Sequence, residues 1–576
     1  MRPIPLAPLC SVSFLTAATR SHAISIAPTT TRFFTASSST KMFDYRELTN
    51  QLVTRMRLED DLRNRAYERN WDLNAALVRV EMAHEEVQLS SSSAGDNSNN
   101  KKEELIGALE KEEESLDKLF LETALSPDMY DNIVHNSSGY HDAISKIHPR
   151  APRRGNIDAK MESYARYKAL RHYLTTENEL LSPSAPCFIV KNTSSNCHAK
   201  EDIGSEQKFS TRSILTDEEY LVGGCIGLCH DLAKIAISRA SNAMSDPHAV
   251  QFIRDARDTV SNILQELLEF DWRNSPLRRK YDSTKYALKT LETVLYELSV
   301  AGVLGGHDAS SLGTEEDGLK KRIKLGDEEK NPGEGTEKGN DLEMKTSALD
   351  TYKQEISEIR KRMDHRDKLR ETLIKASRDG QKFAKNAIFA LHRGNKKSAA
   401  MLLVDCENCV NNQLLPIVQE EPTLRSGSFS NVLEEYVEGK LFYCWLHGGD
   451  GGEEHKRAGK ILMYDEINLP ISVDEYLGGL CDLTGEIGRY AVARATVRDK
   501  ESVKLSLETS KNICMAIKMA GKLPGHINKK MNPLHNSVEK MERILYEQSL
   551  MEMAGRKFES IMEEEVFASN DAEDNC

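Results

Sequence analysis

Apolar residues recur along this chain at intervals of three and four. Leu288, Leu291, Val294, Leu295 and Leu298 line one helical face, and Val437, Leu441 and Cys444 line another. Alternation with period two is absent over any useful length. The pattern predicts an all-α protein built of long helices packed as bundles. Three stretches lack the period. Residues 89–102 (LSSSSAGDNSNNKK) are rich in Ser and Asn, residues 190–212 are polar, and residues 303–344 are rich in Gly and Glu with no aromatic. Such segments bury too little apolar surface to offset the entropy of ordering them. The last reads as an interdomain linker.

On either side of that linker the pattern repeats. RMRLEDDLR (Arg55–Arg63) parallels RMDHRDKLR (Arg362–Arg370). EEYLVGGCIGLCHDLAKIAISRA (Glu218–Ala240) parallels DEYLGGLCDLTGEIGRYAVARA, which ends at Ala495. LETVLYELS (Leu291–Ser299) parallels MERILYEQS (Met541–Ser549). The matches keep their order, so one helical unit has been duplicated in tandem. The expected organisation is a leader 1–42, a helical domain 43–302, a linker 303–347, a second helical domain 348–562 and an unstructured tail 563–576.

Composition narrows the functions. Hydrophobic residues make up 39%, enough for a core, and aromatics only 6%. A net charge of −13 argues against a chain that grips nucleic acid by bulk electrostatics, so any such binding needs a local patch. No run of 18 apolar residues occurs, and no membrane partner is expected. The first acid is Asp44; before it Arg2, Arg20, Arg32 and Lys41 are spread among Ser, Thr and Ala. That is the composition of an organelle transit peptide, with an untranslated leader ahead of Met42 as the alternative. KKRIK (Lys320–Lys324) reads as a nuclear localisation signal or a solvated charge run. The 11 cysteines are scattered, and Cys406-x-x-Cys409 has no second pair to complete a zinc site. Reduced structural thiols fit better.

The chemistry lies in two acidic pairs. In EYLGGLCDLTGEIGRYAVARA (Glu475–Ala495), Tyr476, Leu480, Leu483, Ile487 and Tyr490 form the buried stripe. Gly479, Asp482, Glu486 and Arg489 form a row beside it. Upstream, NVLEEYVEGKLFYCWL sets Glu435 and Glu438 three residues apart, flanking Val437. Two packed helices of this kind can bring four carboxylates to one point. Those charges repel unless a cation sits among them, and hard oxygen ligands suit Mg²⁺, or alternatively Mn²⁺. A metal so held activates water and offsets charge on a phosphoryl oxygen, as in a metal-dependent nuclease. Gly478, Gly479, Gly485 and Gly488 would leave room for metal and substrate. The competing reading is an acidic row facing solvent or paired with Lys and Arg. A di-iron bundle is disfavoured because neither helix supplies Glu-x-x-His.

These residues resemble the translin/translin-associated factor X (TRAX) family. EEYVE followed by EYLGGLCDLTGEIGR is similar to the TRAX side, and SPLRRKYDSTKYALKTLETVLYELSVAG (Ser275–Gly302) to the C-terminal helix region of translin. The resemblance covers roughly residues 43–302 and 348–560. It implies an all-α fold of two tandem translin-type bundles, and a hollow homo-oligomer or hetero-oligomer with translin-like subunits. It also implies binding of single-stranded RNA and DNA, and a Mg²⁺-dependent endoribonuclease found in cytoplasm and nucleus; the leader would instead direct it to the mitochondrion. Carried over by motif, the catalytic and metal-binding residues are Glu435, Glu438, Asp482 and Glu486. In the first copy the matching positions are Ser163, Arg166, Gly227 and Asp231, so that half is expected to be non-catalytic. One extra residue near Gly223 loosens the Gly227 match. Nucleic-acid contacts are expected from Arg150, Arg153 and Arg154, from Arg166, from Arg393, Lys396 and Lys397 beside His392, and from Arg489. The alternatives to the nuclease are a non-catalytic single-strand binding protein and an oligomeric scaffold.

Overall fold

A computed structural model describes residues 45–91, 98–130, 150–176, 178–191, 211–241, 247–272, 276–303, 338–448 and 459–573, all within one compact unit. The leader and the KKRIK run lie outside the described residues. The first half contains α1 (Tyr45–Ser91), α2 (Ser98–Leu125), α3 (Ile157–Thr175), α4 (Asp217–Ala240), α5 (Pro247–Leu268) and α6 (Pro276–Val300). The second contains α7 (Lys338–His392), α8 (Lys396–Cys409), α9 (Leu415–Glu420), α10 (Ser428–His447), α11 (Val473–Thr496), α12 (Lys500–Met519) and α13 (Gly525–Glu573). Among the described residues the only strands are Ile189–Lys191 and Thr211–Ser213, which pair antiparallel.

Several polar stretches are more ordered than their composition predicts. α1 continues to Ser91 and α2 begins at Ser98, inside the Ser/Asn-rich segment. α7 begins within the expected linker, and α13 runs into the expected tail as far as Glu573. Once a long helix is nucleated, each added residue costs little, so polar flanks extend it.

Two apolar cores match the two halves, but the halves exchange helix ends. Leu48, Leu52 and Met56 of α1 are fully buried in the second-half core, where α1 packs on α12. Tyr352, Ile356 and Ile359 of α7 are buried in the first-half core, where α7 meets α5. At 1.5 Å per residue, the 47-residue α1 is about 70 Å long, more than one bundle can cover. The domain limits expected from the repeat therefore change: residues 45–56 belong with the second core and 352–359 with the first.

The extra residue near Gly223 has a visible fate. Residues Tyr220–Gly227 form a π-helical segment inside α4, whereas the equivalent α11 is α-helical throughout. A single inserted residue is accommodated by such a bulge, and regular register resumes after it. By length and composition α4 could cross a membrane, yet 67% of its 18-residue apolar window is buried, as expected of a core helix. Each of these paired helices starts with a capping box, Thr216 with Glu219 and Ser472 with Glu475.

Candidate functional site

α10 and α11 approach closely because of two glycines. A Cβ on Gly478 would stand 2.6 Å from Cδ of Glu434, and one on Gly479 would stand 2.7 Å from a methyl of Val437. Gly488 lies similarly against Ser537 of α13. These three glycines serve helix packing rather than leaving room for substrate. Of the four, Gly485 alone faces open space.

That crossing sets Glu435 and Glu438 of α10 against Asp482 and Glu486 of α11. Glu438 is only 9% exposed and has no ion pair or side-chain hydrogen bond among the described residues. Burial first, then the charges of Asp482, Glu486 and Glu435, push its carboxyl up to about 8. The other three acids each have a cation. Lys385 Nζ lies 3.2 Å from Glu435, whose carboxyl is raised by burial against the pull of that lysine. Lys530 of α13 donates to both Asp482 and Glu434. Glu486 accepts from Arg489 at 2.8 Å and lies 2.5 Å from Nε2 of His392.

The donor set fits a hard divalent cation in kind and in charge. Glu438 is buried and is repelled by the other three carboxylates, an arrangement that a cation relieves. As the side chains stand, no three Asp, Glu, His or Cys groups among the described residues form a ready cage. Lysines hold two of the acids instead.

The first half replaces this cluster with an internal pair. Arg166, at the Glu438 position, makes a two-pronged ion pair with Asp231, at the Glu486 position. Its side chain also lies over Gly227, where a Cβ would meet its Cδ at 3.0 Å. The guanidinium occupies the space that the missing carboxylate and a cation would need.

The expected nucleic-acid contacts divide sharply: Arg153 and Arg154 are buried and need correction, while Arg150 and Arg166 are ion-paired but part-exposed. Arg153 is buried, bonding Glu219 at 2.6 Å and the Ile214 carbonyl at 2.8 Å. Arg425 repeats this arrangement with Glu475 and the Pro470 carbonyl, so both arginines pin a loop to a helix start. Arg154 is buried between Glu59 and the Tyr130 carbonyl. Arg150 pairs at 2.6 Å with the buried Glu421 of the other half. Arg166 is committed to Asp231. Their partners lie far away in sequence, so local spacing alone makes them look like a phosphate-binding run. Arg393 and Lys397 are exposed, Lys396 opens α8, and Arg489 has 67% of its side chain exposed. These four stay available.

His392, grouped in the sequence with the basic run, instead joins the end of α7 to Glu486. The sequence reading missed Glu434, Lys385 and Lys530. A signal for two of them was present: the repeat aligns Glu434 with Glu162 and Lys530 with Lys280, and Lys280 does pair with Glu162. The Cys406 and Cys409 thiols reach the carbonyls of Gly380 and Ala376, consistent with structural thiols.

These features define an all-α protein of two homologous, unequal halves, one with converging carboxylates and one with its charges internally paired. The Translin family model matches residues 61–302 and 368–552, and the chain belongs to that family. It is 28% identical over 199 residues to the translin-associated protein X homolog of Schizosaccharomyces pombe, covering 32% of this chain and 82% of that protein. It is 24% identical over 179 residues to translin of Gallus gallus, covering 30% of this chain and 76% of that protein. Solved structures similar to it include AfC3PO in a complex with duplex RNA, at 20% identity and a TM-score of 0.29, covering 34% of this chain and 98% of that one. Apo-NeC3PO matches at 17% identity and a TM-score of 0.30, covering 34% and 96%.

Proposed function

We propose that this chain is a metal-dependent endoribonuclease of the translin–TRAX type that binds single-stranded RNA or DNA and cleaves RNA. The observation that carries this reading is that Glu435, Asp482 and Glu486 all act on the buried Glu438 carboxyl, which has no ion pair of its own among the described residues. These four would hold Mg²⁺, or alternatively Mn²⁺. When bound, the ion supplies an activated water and offsets charge on the phosphoryl oxygen. The chain's own residues do the rest. Glu438, its carboxyl raised to about 8, would give up its proton to solvent once a cation neutralised the cluster. His392 keeps Glu486 oriented. Arg489, with Arg393, Lys396 and Lys397 near His392, takes the phosphates flanking the scissile bond. The first half, with Arg166 on Asp231, contributes scaffold and binding surface rather than chemistry. Assembly would be as a homo-oligomer or with separate translin-like subunits.

One observation favours a second reading. Lys385 and Lys530 already neutralise two acids, as a closed structural network would. The chain would then be a non-catalytic single-strand binding protein. Incubating end-labelled single-stranded RNA with the purified chain separates the two. The nuclease reading expects products with Mg²⁺, none with EDTA, and at least ~100-fold loss in Glu435→Ala. Oligonucleotide binding that survives EDTA with no product in any lane selects the second reading.

A further inference from the structure

The lysine on α13 stands out because the two halves use it differently. In the first half, Lys280 Nζ sits between both oxygens of Glu162, at 2.8 and 2.7 Å. Gly227 stands at the position of Asp482, so Lys280 has no second acid there. In the second half, Lys530 keeps the equivalent glutamate, Glu434, but also reaches across to Asp482. Burial pulls Lys530 down, yet its bonds to Asp482 and Glu434 outweigh this and raise it above its ordinary value. It therefore stays charged at neutral pH.

Its two acceptors are unequally held. Glu434 is wedged against Gly478, where even a Cβ would approach its Cδ to 2.6 Å. Its side chain is 21% exposed, against 37% for Asp482. Glu434 is a fixed seat and Asp482 a looser one. A lysine bonded to Asp482 competes with any divalent ion for the same carboxylate, and the two positive charges repel at that distance.

We infer that Lys530 has two positions: it neutralises Asp482 when no metal is present, and it withdraws to Glu434 alone, as Lys280 sits on Glu162, when a divalent cation enters the carboxylate cluster. It would thus be a positioning residue that sets the metal affinity of the site and keeps the acids from repelling one another before loading. This rests on the metal-site reading above.

The test is calorimetric titration of Mn²⁺ into the chelator-stripped full chain, with melting curves to confirm folding. Lys530→Met should bind Mn²⁺ about 10-fold more tightly than the wild type and melt lower in EDTA, because two acids lose their partner. Glu434→Gln removes the fixed seat and should weaken Mn²⁺ binding several-fold, since the lysine is left on Asp482 alone. Lys280→Met should leave Mn²⁺ affinity unchanged. A purely structural lysine would shift melting without these opposite changes in affinity. Unchanged or weakened Mn²⁺ binding in Lys530→Met, or tighter binding in Glu434→Gln, overturns the inference while leaving the metal site standing. A wild-type chain with no Mn²⁺ binding that Glu438→Gln abolishes overturns both.

Discussion

At the scale of single residues, a charge is defined by what lies opposite it in space. The four acids were legible because helix geometry is local: spacings of three and four fix which side chains share a face. The arginines were not, because Arg153 and Glu219 are 66 residues apart, and Arg150 and Glu421 are 271 apart. Arg153, a phosphate contact by its place in a basic run, is a buried clamp on Glu219. The buried Glu438 carries a pH signature. Its folded carboxyl, at about 8, lies above the ordinary 4.5. The folded state therefore holds the extra proton across that interval, and stability falls as pH rises through it. Discounted for relaxation and residual solvent, the loss is ~1–3 kcal/mol. Urea melts in EDTA should show wild type losing stability between about pH 5 and pH 8, a slope that Glu438→Gln flattens. A wild-type slope of opposite sign would count against a buried, unpaired carboxyl at this position.

At the scale of elements, periodicity revealed the helices and the duplication, while glycines decided how they meet. The extra residue in the first copy was legible only as an uncertainty of alignment. Backbone hydrogen bonding resolves it into a π-helical turn, with Arg166 and Asp231 still opposed beyond it. The helix ends were less legible, since polar residues that cannot nucleate a helix can still prolong one. Gly223 and Gly485 look alike in sequence and differ in surroundings. A Cβ on Gly223 would stand 2.0 Å from the Glu162 carbonyl oxygen, whereas one on Gly485 meets nothing within 4 Å. Gly223→Ala should destabilise the chain by ~2–3 kcal/mol or more. Gly485→Ala, on an exposed helical face, should be neutral or stabilising by up to ~1 kcal/mol. Thermal melts of the two variants check the pair; equal effects would mean that the close contact between α3 and α4 is misplaced.

At the scale of the whole molecule, the tandem repeat was legible but its interlocking was not. The stripe Leu48–Leu52–Met56 looks like any amphipathic face, and nothing local says which core it enters. In the fold it completes the second core, while Tyr352, Ile356 and Ile359 complete the first. Each fully buried side chain of this size contributes ~1.5–3 kcal/mol, so neither half is well covered alone. Residues 42–320 and 321–576 co-expressed as separate chains should copurify as a one-to-one complex, and each alone should aggregate. Two soluble halves with no affinity for each other would contradict the exchange. The same interlocking fixes one carboxylate-bearing half to every arginine-paired half. The proposed chemistry depends on a divalent ion lying between α10 and α11. Anomalous diffraction from crystals grown with Mn²⁺ tests this most directly. The expected result is one strong peak bounded by Glu435, Glu438, Asp482 and Glu486, with Lys530 turned away from Asp482. An ordered cluster with no peak there, its acids still bound to Lys385 and Lys530, would contradict it.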